Sequence, residues 1–239
     1  MSGWEGPDHL FTGRGSDVVR TFGSRDEVWL DSIPDHALLG PRDRNRDEAP
    51  DRAVMGPGGD TVNSGGGNDD VSGGVGPDDL TDWGRAVDVI RGGSGDDAIQ
   101  HRMVFKASGV VLAGGPGADR VRWSDRVRPE LGDVTTVDLR SGVLEHDPEV
   151  GPTVTHVMSS FRDGELGDWG TLRVFGTDEA NFLSFFAPQM SVSALAGDDL
   201  LRTAPITGST FDGGDGFDRL SQADCAQNTC ISIEAFFPL

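Results

Sequence analysis

Residues 55–81 read MGPGGDTVN, SGGGNDDVS and GGVGPDDLT, three copies of one nine-residue unit that follow each other without a gap. Each copy has Gly at its second and fourth positions, Asp at its sixth and an aliphatic residue at its eighth. A period this short is typical of a solenoid in which each unit supplies one turn and one short strand. The stretch therefore predicts an all-β fold built from stacked repeats.

The same unit occurs elsewhere in the chain. In chain order the other copies are TGRGSDVVR at 12–20, WGRAVDVIR at 83–91, GGSGDDAIQ at 92–100, GGPGADRVR at 114–122 and GGDGFDRLS at 213–221. Weaker copies are TFGSRDEVW at 21–29, GTDEANFLS at 176–184 and ALAGDDLLR at 194–202. One residue, Asp82, is inserted before the copy at 83–91. Several copies in one phase are not expected by chance, so the repeat is interpreted as the basis of the fold.

The spacing also predicts how the units stack. The residue at position eight is apolar between mostly polar neighbours, which indicates a short strand with one side chain turned inward. Two units make one coil of about eighteen residues, whose strands pair in parallel with those of the coils above and below. Small Val, Ile and Leu side chains give a thin core, so another source of stability is expected.

The position-six aspartates indicate that this source is a cation. Asp60 is expected to face Asp78, and Asp78 to face Asp97, because repeats two apart lie on the same side of the coil. Two carboxylates about 4 Å apart repel each other by roughly 4 kcal/mol at an effective dielectric constant of 20. Calcium takes about six to eight oxygen ligands from carboxylates and carbonyls, and glycine-rich turns expose their carbonyls. Ion binding and folding are therefore expected to be coupled.

The copies at 55–81, 92–100, 114–122 and 213–221 resemble the RTX, or hemolysin-type calcium-binding repeat, family. Together with the connecting stretches VTTVDLRSG and LRVFGTDEANFLSFF, the resemblance covers about two-thirds of the chain. It implies a right-handed parallel β-roll, a β-solenoid of Gly/Asp-rich nonapeptide repeats. It also implies that Ca2+ is bound by position-six Asp side chains and by turn carbonyls, including those of the glycines at positions two and four.

On this resemblance the calcium-binding residues are Gly13, Gly15, Asp17, Gly56, Gly58, Asp60, Gly65, Gly67, Asp69, Gly74, Gly76, Asp78, Asp88, Gly93, Gly95, Asp97, Gly115, Gly117, Asp119, Asp199, Gly214, Gly216 and Asp218. Some copies depart from the pattern. Asn181 stands in place of the Asp, Ala86 and Ser24 in place of the position-four Gly, and Leu195 in place of the position-two Gly. The coil geometry can persist in these copies without a full set of calcium ligands.

The repeats divide the chain into segments. These are degenerate N-terminal repeats (1–30), a charged loop or linker (31–54), the main calcium-binding roll (55–122), an irregular β segment (123–175), a second, partly degenerate repeat block (176–221) and a C-terminal cap (222–239). The stretch PRDRNRDEAPDRA within the second segment is charged and without period, which indicates a solvated loop. A disordered acidic linker is the alternative for 55–122, but a linker has no reason to keep an aliphatic residue at every ninth position.

The charge balance excludes two classes of partner. The chain has 20 Lys and Arg against 40 Asp and Glu, a formal net charge of −20. Phosphate binding needs clustered basic residues, so nucleic acid and anionic membranes are not expected partners. No stretch approaches the length of apolar chain that crosses a membrane, so membrane insertion is not expected either.

The two cysteines, Cys225 and Cys230, favour a disulfide that closes a C-terminal loop over free thiols, and a zinc site would need further ligands nearby. A disulfide fits an extracellular location. The N-terminus MSGWEGPDHL has neither a basic start nor an apolar stretch, so no signal peptide is visible. The start is then either truncated, or export uses a non-classical signal.

The sequence predicts no enzyme. It contains no H-E-x-x-H, no G-x-S-x-G and no P-loop motif, and the glycine pairs precede strands rather than helices. His101 follows a repeat and is expected at the surface rather than in a catalytic site. Any unrecognised activity is expected within 123–175, the stretch that the repeats explain least.

The resulting hypothesis is a secreted, non-enzymatic protein whose β-roll folds on binding calcium ions between adjacent coils. One alternative is the calcium-binding module of a larger secreted hydrolase or toxin. Another is a calcium-dependent adhesion or surface protein. The identity of a protein or cell-surface partner stays open at this point.

Overall fold

Short strands joined by turns make up all the regular structure, and the described residues contain no helix, hence none that could cross a membrane. The structure is a computed structural model, and it describes residues 2–11, 18–22, 26–29, 50–64, 68–82, 87–101, 108–124, 133–148, 153–167, 170–221, 225 and 227–237. The chain divides into two units. The first unit comprises 1–103 and 109–119, and the second comprises 104–108 and 120–239.

The first unit consists of two parallel sheets. Its strands are β1 (Ser2–Glu5), β2 (His9–Phe11), β3 (Val18–Phe22), β4 (Glu27–Trp29), β5 (Arg52–Val54), β6 (Thr61–Asn63), β7 (Asp70–Val75), β8 (Asp79–Asp82), β9 (Val89–Ser94), β10 (Ala98–His101) and β11 (Val111–Ala113). Successive strands alternate between the sheets, whose orders are β1-β3-β5-β7-β9-β11 and β2-β4-β6-β8-β10. Two consecutive repeats therefore make one coil, and the predicted parallel β-solenoid is confirmed.

The aliphatic residues at position eight form columns on the inward face of each sheet. Val62 pairs with Leu80 on the next coil, and Val71 pairs with Ile90 one residue later than the period requires, because Asp82 is inserted. All members of these columns are at most 1% exposed, so they form the core. They are Val19, Val28, Ala53, Val62, Val71, Leu80, Ile90, Ile99 and Leu112.

The predicted charged segment interrupts the chain without shifting the register of the coils. β4 pairs with β6 and β3 pairs with β5, so the strands on either side of the charged segment belong to neighbouring coils. Residues 30–49 lie outside the described residues. The coil thus resumes inside the segment assigned to the loop, because Asp51 and Ala53 occupy positions six and eight of a copy, RDEAPDRAV, that lacks the glycines.

The second unit also has two sheets. Its strands are β12 (Arg120–Ser124), β13 (Val134–Asp138), β14 (Val143–Asp147), β15 (Val154–Ser159), β16 (Asp163–Gly167), β17 (Thr171–Phe175), β18 (Phe182–Phe186), β19 (Gln189–Ser193), β20 (Leu200–Thr203), β21 (Thr210–Asp212), β22 (Arg219–Ser221), β23 (Thr229–Ile231) and β24 (Ala235–Phe237). The sheet orders are β15-β14-β13-β17-β19-β21-β23 and β12-β16-β18-β20-β22-β24.

The segment expected to be irregular, 123–175, forms regular strands with one antiparallel excursion. β14 runs antiparallel to both β13 and β15, whereas β13 and β17 are parallel. The turn between β13 and β14 is stabilised by Asp138, whose Oδ1 accepts hydrogen bonds from the backbone N–H groups of Arg140 and Ser141. Gly142 has a φ of 72° there, which a side chain would disfavour. The excursion adds two strands to the sheet without ending the stack.

A disulfide joins Cys225 to Cys230, which lies on β23, with 5.7 Å between the two Cα atoms. It closes a short loop next to the last described strands of the two sheets, β23 and β24.

The close stacking of the turns predicts a strong penalty for a side chain at the second position of a repeat. Gly93 has a φ of 120°, and a Cβ atom there would collide with the carbonyl oxygen of Gly74 on the neighbouring coil. We expect Gly93→Ala to lower the free energy of unfolding by about 1–3 kcal/mol from backbone strain alone, with the collision adding to it. Urea denaturation in saturating calcium measures the effect.

Gly6→Ala in the same unit is the matched control, because a Cβ there has nothing within 4 Å and φ is not in the left-handed region. Equal stability of the two variants would contradict the tight stacking of the turns.

Candidate metal centre

The position-six aspartates of the first unit form two rows, each linked from coil to coil by hydrogen bonds. In each link, a carboxylate Oδ1 accepts the backbone N–H of the corresponding residue on the preceding coil. The first row runs Asp8, Asp26, Asp60, Asp78, Asp97 and Asp119, with N···Oδ1 distances of 3.0, 2.7, 2.7, 2.9 and 2.8 Å. The second row runs Asp51, Asp69 and Asp88, with both distances 2.9 Å.

The second unit contains a comparable row. Asp199 Oδ1 accepts the N–H of Asn181 at 2.7 Å, and Asp218 Oδ1 accepts the N–H of Asp199 at 2.8 Å. Asp218 in turn donates its N–H to Glu234 Oε2 at 2.7 Å. The rows show why Asp suits position six, since a short carboxylate reaches the backbone of the next coil and still has a second oxygen to offer.

That second oxygen, Oδ2, is buried without a hydrogen-bond partner among the described residues. The aspartates concerned are Asp26, Asp60, Asp78, Asp88, Asp97, Asp199 and Asp218. A buried, unsatisfied carboxylate oxygen is costly, and a row of them multiplies the cost. The donor set is therefore suited to a bound cation, and oxygen-only donors favour calcium or magnesium.

The first glycine of a repeat leaves space for this oxygen. A Cβ atom at Gly73 would collide with Oδ2 of Asp78, and one at Gly92 would collide with Oδ2 of Asp97. Gly213 and Asp218 show the same relation in the second unit. The carboxylate thus lies over bare backbone within its own turn, in a cradle that any larger residue would fill.

The glycines at positions two and four bring carbonyl groups to the same turns. Gly74 and Gly76 have φ values of 115° and 125°, which place them in the left-handed region. The carbonyl of Gly74 lies directly against Gly93, and that of Gly76 lies against Gly95, so carbonyl oxygens line the space between consecutive turns. These carbonyls and the position-six carboxylates are the groups that would hold calcium.

Burial raises the pKa values of these carboxyl groups, and neighbouring carboxylates add to the effect while backbone N–H donors oppose it. The pKa of Asp78 is raised to about 7, that of Asp97 to about 6 and that of Asp199 to about 7. Burial also raises the pKa of Asp60 and of Asp218. Without a cation, part of each row is therefore protonated near neutral pH.

Asn181 shows what happens where the carboxylate is absent. Its Oδ1 lies over Gly176, as Oδ2 of Asp78 lies over Gly73, but it accepts the N–H of Thr177 at 2.9 Å. Its Nδ2 donates to the carbonyl of Arg162 at 2.9 Å and to Thr177 Oγ1 at 2.7 Å. The Asn181 side chain is satisfied by Thr177 in its own turn and by the Arg162 carbonyl of the preceding coil, so this copy needs no ion, in contrast to the Asp copies.

The structure places the sequence-predicted residues as follows. Gly13, Gly15, Asp17, Gly65 and Gly67 lie outside the described residues. The other predicted aspartates, including Asp119 and Asp218, all take part in the rows, and the other predicted glycines lie in the turns beside them.

Sequence reasoning missed several members of the site. Asp8 and Asp51 belong to the rows. Asp8 precedes Asp17 by one period and has Gly6 at position four of its copy, whereas Asp51 precedes Asp60 by one period without any glycine in its copy. The expectation that His101 lies at the surface is wrong. His101 is only 1% exposed, because it pairs in register with the inserted Asp82 inside the coil.

Comparison with known proteins identifies the repeat. The family model of the RTX calcium-binding nonapeptide repeat matches the chain in four copies, at residues 2–32, 56–80 and 84–100. No curated protein matches the chain. The copies at 114–122 and 213–221 lie outside the matched ranges, yet Asp119 and Asp218 make the same cross-coil hydrogen bonds as Asp78 and Asp97.

The raised pKa values predict that the metal-depleted protein loses stability as pH rises. Between pH 4 and 7 the folded state holds protons on Asp78, Asp97 and Asp199 that the unfolded state, with a pKa near 3.8, releases. Folding is therefore favoured at the acid end of this window, and the contribution is lost as pH passes the folded-state values. We expect the urea midpoint of metal-depleted protein to fall from pH 5 to pH 8.

Calcium requires the ionised carboxylates, so saturating calcium should raise the urea midpoint more at pH 8 than at pH 5. A metal-depleted protein whose stability increases between pH 5 and pH 7 would contradict the buried carboxylate rows.

The Asp78→Asn variant separates the two roles of the carboxylate. The amide retains an acceptor for the N–H of Asp60 but removes the buried charge. We expect the metal-depleted variant to be about 1–3 kcal/mol more stable than wild type at pH 8, and its gain from calcium to be smaller. Urea denaturation with and without calcium measures both. A variant less stable than wild type without metal would show that the buried charge is not a cost.

Proposed function

Because the chain contains RTX calcium-binding nonapeptide repeats, we propose that it is a secreted, non-enzymatic protein whose roll folds on binding calcium between adjacent coils. The observation that carries the proposal is the set of buried Oδ2 atoms without a hydrogen-bond partner. In a calcium-free state these atoms oppose folding, and with calcium bound they become ligands. Calcium supplies the positive charge that compensates the buried carboxylates of the rows.

The thinness of the core supports the coupling between calcium and folding. The strands of the first unit are three to six residues long, and each coil contributes one or two inward aliphatic side chains. Hydrophobic burial gives about 1.5–3 kcal/mol per such side chain, whereas ordering the backbone costs about 1–2 kcal/mol for every residue of the coil, so the aliphatic side chains alone do not stabilise it. The free energy of binding an ion between the turns then decides whether the coils stack.

Two observations support an extracellular site of action. Extracellular calcium modules bind with dissociation constants of about 10⁻⁴–10⁻³ M, so such a roll stays only marginally stable in a low-calcium cytoplasm and folds fully outside. The disulfide between Cys225 and Cys230 fits an oxidising compartment.

The positions of the histidines support a non-enzymatic role. His101, His146 and His156 are buried in the coils at 4% exposure or less, where no substrate can reach them. His9 is exposed and pairs with Glu27, with 2.8 Å between Nδ1 and Oε2. His36 lies outside the described residues. The position-six aspartates are buried as well, which fits ligands of an ion better than an acid/base pair open to a substrate.

A calcium titration of metal-depleted protein followed by far-UV circular dichroism tests the proposal. We expect a cooperative rise of β signal with calcium and none with magnesium, which demands a near-ideal octahedral shell and gives up its water ligands reluctantly. A β signal that is complete without metal and unaffected by calcium would contradict it.

Paired variants then test the assignment of the rows. Asp78→Ala removes one link of the first row, whereas Asp178→Ala changes an exposed residue in the copy that contains Asn181. We expect Asp78→Ala to raise the calcium midpoint by about tenfold, equivalent to about 1.4 kcal/mol, and Asp178→Ala to leave it unchanged. Equal midpoints would contradict the assignment of Asp78 as a calcium ligand.

A further inference from the structure

Three buried side chains meet inside the first unit, and only one of them, Asp88, occupies a position of the repeat pattern. Asp82 on β8 and His101 on β10 pair in register across neighbouring strands, and Asp88 ends the turn that leads to β9. One ligand atom of each lies within 4.8 Å of the others. All three residues are at most 1% exposed, and Nδ1 of His101 lies 2.6 Å from Oδ2 of Asp82.

The sequence explains why this cluster occurs at one place. Asp82 is the residue inserted between two copies, and His101 directly follows the copy at 92–100. Ser64 holds the equivalent place one coil before Asp82. The insertion therefore adds a carboxylate, and the following coil adds an imidazole, beside a position-six aspartate of the second row.

The surrounding hydrogen bonds hold both carboxylates of the cluster in place through their Oδ1 atoms. Ser64 Oγ donates to Asp82 Oδ1 at 3.0 Å, and the backbone N–H of Asp69 donates to Asp88 Oδ1 at 2.9 Å. Asp88 Oδ2 is buried and has no hydrogen-bond partner among the described residues. Such partners fix the orientation of metal ligands and commonly accompany them in metal sites.

We propose that Asp82, Asp88 and His101 form a binding site for a divalent transition-metal ion of the zinc type, which shares Asp88 with the second row. The donor set decides the class of ion. Calcium and magnesium take oxygen ligands, whereas an imidazole nitrogen together with carboxylates suits zinc and its neighbours in the first transition series. Three protein ligands are the number found in zinc sites that keep a fourth position for another donor.

The site goes beyond the calcium-dependent folding proposed above, and it requires the coils of the first unit to be stacked. Its ligands are the last residue of β8, the residue that precedes β9, and the last residue of β10 on the next coil.

The test is a zinc titration by calorimetry on metal-depleted protein refolded in saturating calcium. We expect one zinc ion bound per chain, and we expect His101→Gln to weaken binding at least about 100-fold. His146→Gln is the matched control, because His146 is a buried histidine of the second unit that contacts Thr135 Oγ1 at 3.0 Å. Its zinc affinity should equal that of wild type. Equal affinity of wild type and His101→Gln would overturn the proposal.

Circular dichroism in calcium shows whether His101→Gln still folds. If it does not, the wild-type protein decides the question by NMR of the imidazole nitrogens. Zinc should shift one of the five histidines, and a spectrum unchanged by zinc would overturn the proposal. A normal calcium response without zinc binding would overturn this site alone, whereas loss of the calcium response would count against the proposed function.

Discussion

The fold depends on one hydrogen bond repeated from coil to coil, in which a buried aspartate accepts the backbone N–H of the previous coil. Asp78 Oδ1 accepts the N–H of Asp60, and Asp97 Oδ1 accepts the N–H of Asp78. Each bond fixes the height and phase of a turn, and each also buries a carboxylate that water no longer solvates. The stacking force and the electrostatic cost therefore come from the same side chain, and a cation bound between the turns would offset the cost without breaking the hydrogen bond.

This constraint also explains how the coils tolerate insertions. The chain leaves the first row after Asp26 and returns at Asp60 with the same bond, at 2.7 Å, although 34 positions rather than 18 separate them. The antiparallel excursion through β14 in the second unit is tolerated for a similar reason, because β13 still pairs in parallel with β17. Register is set between neighbouring strands and turns, so additional chain outside a coil costs little beyond loop closure.

The repeat pattern alone predicts most of the fold, including the coil of two repeats and the facing of Asp60, Asp78 and Asp97. It could not show that a backbone amide stands between facing carboxylates, since spacing carries no information on side-chain rotamers. It missed the copy that contains Asp51 because no glycine marks it. It misplaced His101 because the burial of that residue depends on a partner nineteen positions earlier, Asp82, which the pattern treats as an insertion.

Asp88 links the two kinds of site that the first unit offers. Its Oδ1 belongs to the second row through the N–H of Asp69, while its side chain lies against Asp82 and His101. Burial and the charge of Asp82 raise the pKa of Asp88 to about 9, so the group is neutral at pH 7 unless a cation compensates. An ion that binds ionised Asp88 must displace this proton, so by linkage the proton weakens ion binding by the same free energy with which the ion weakens proton binding. The departure from the nine-residue pattern at Asp82 thus gives this coil a chemistry that the regular repeats lack.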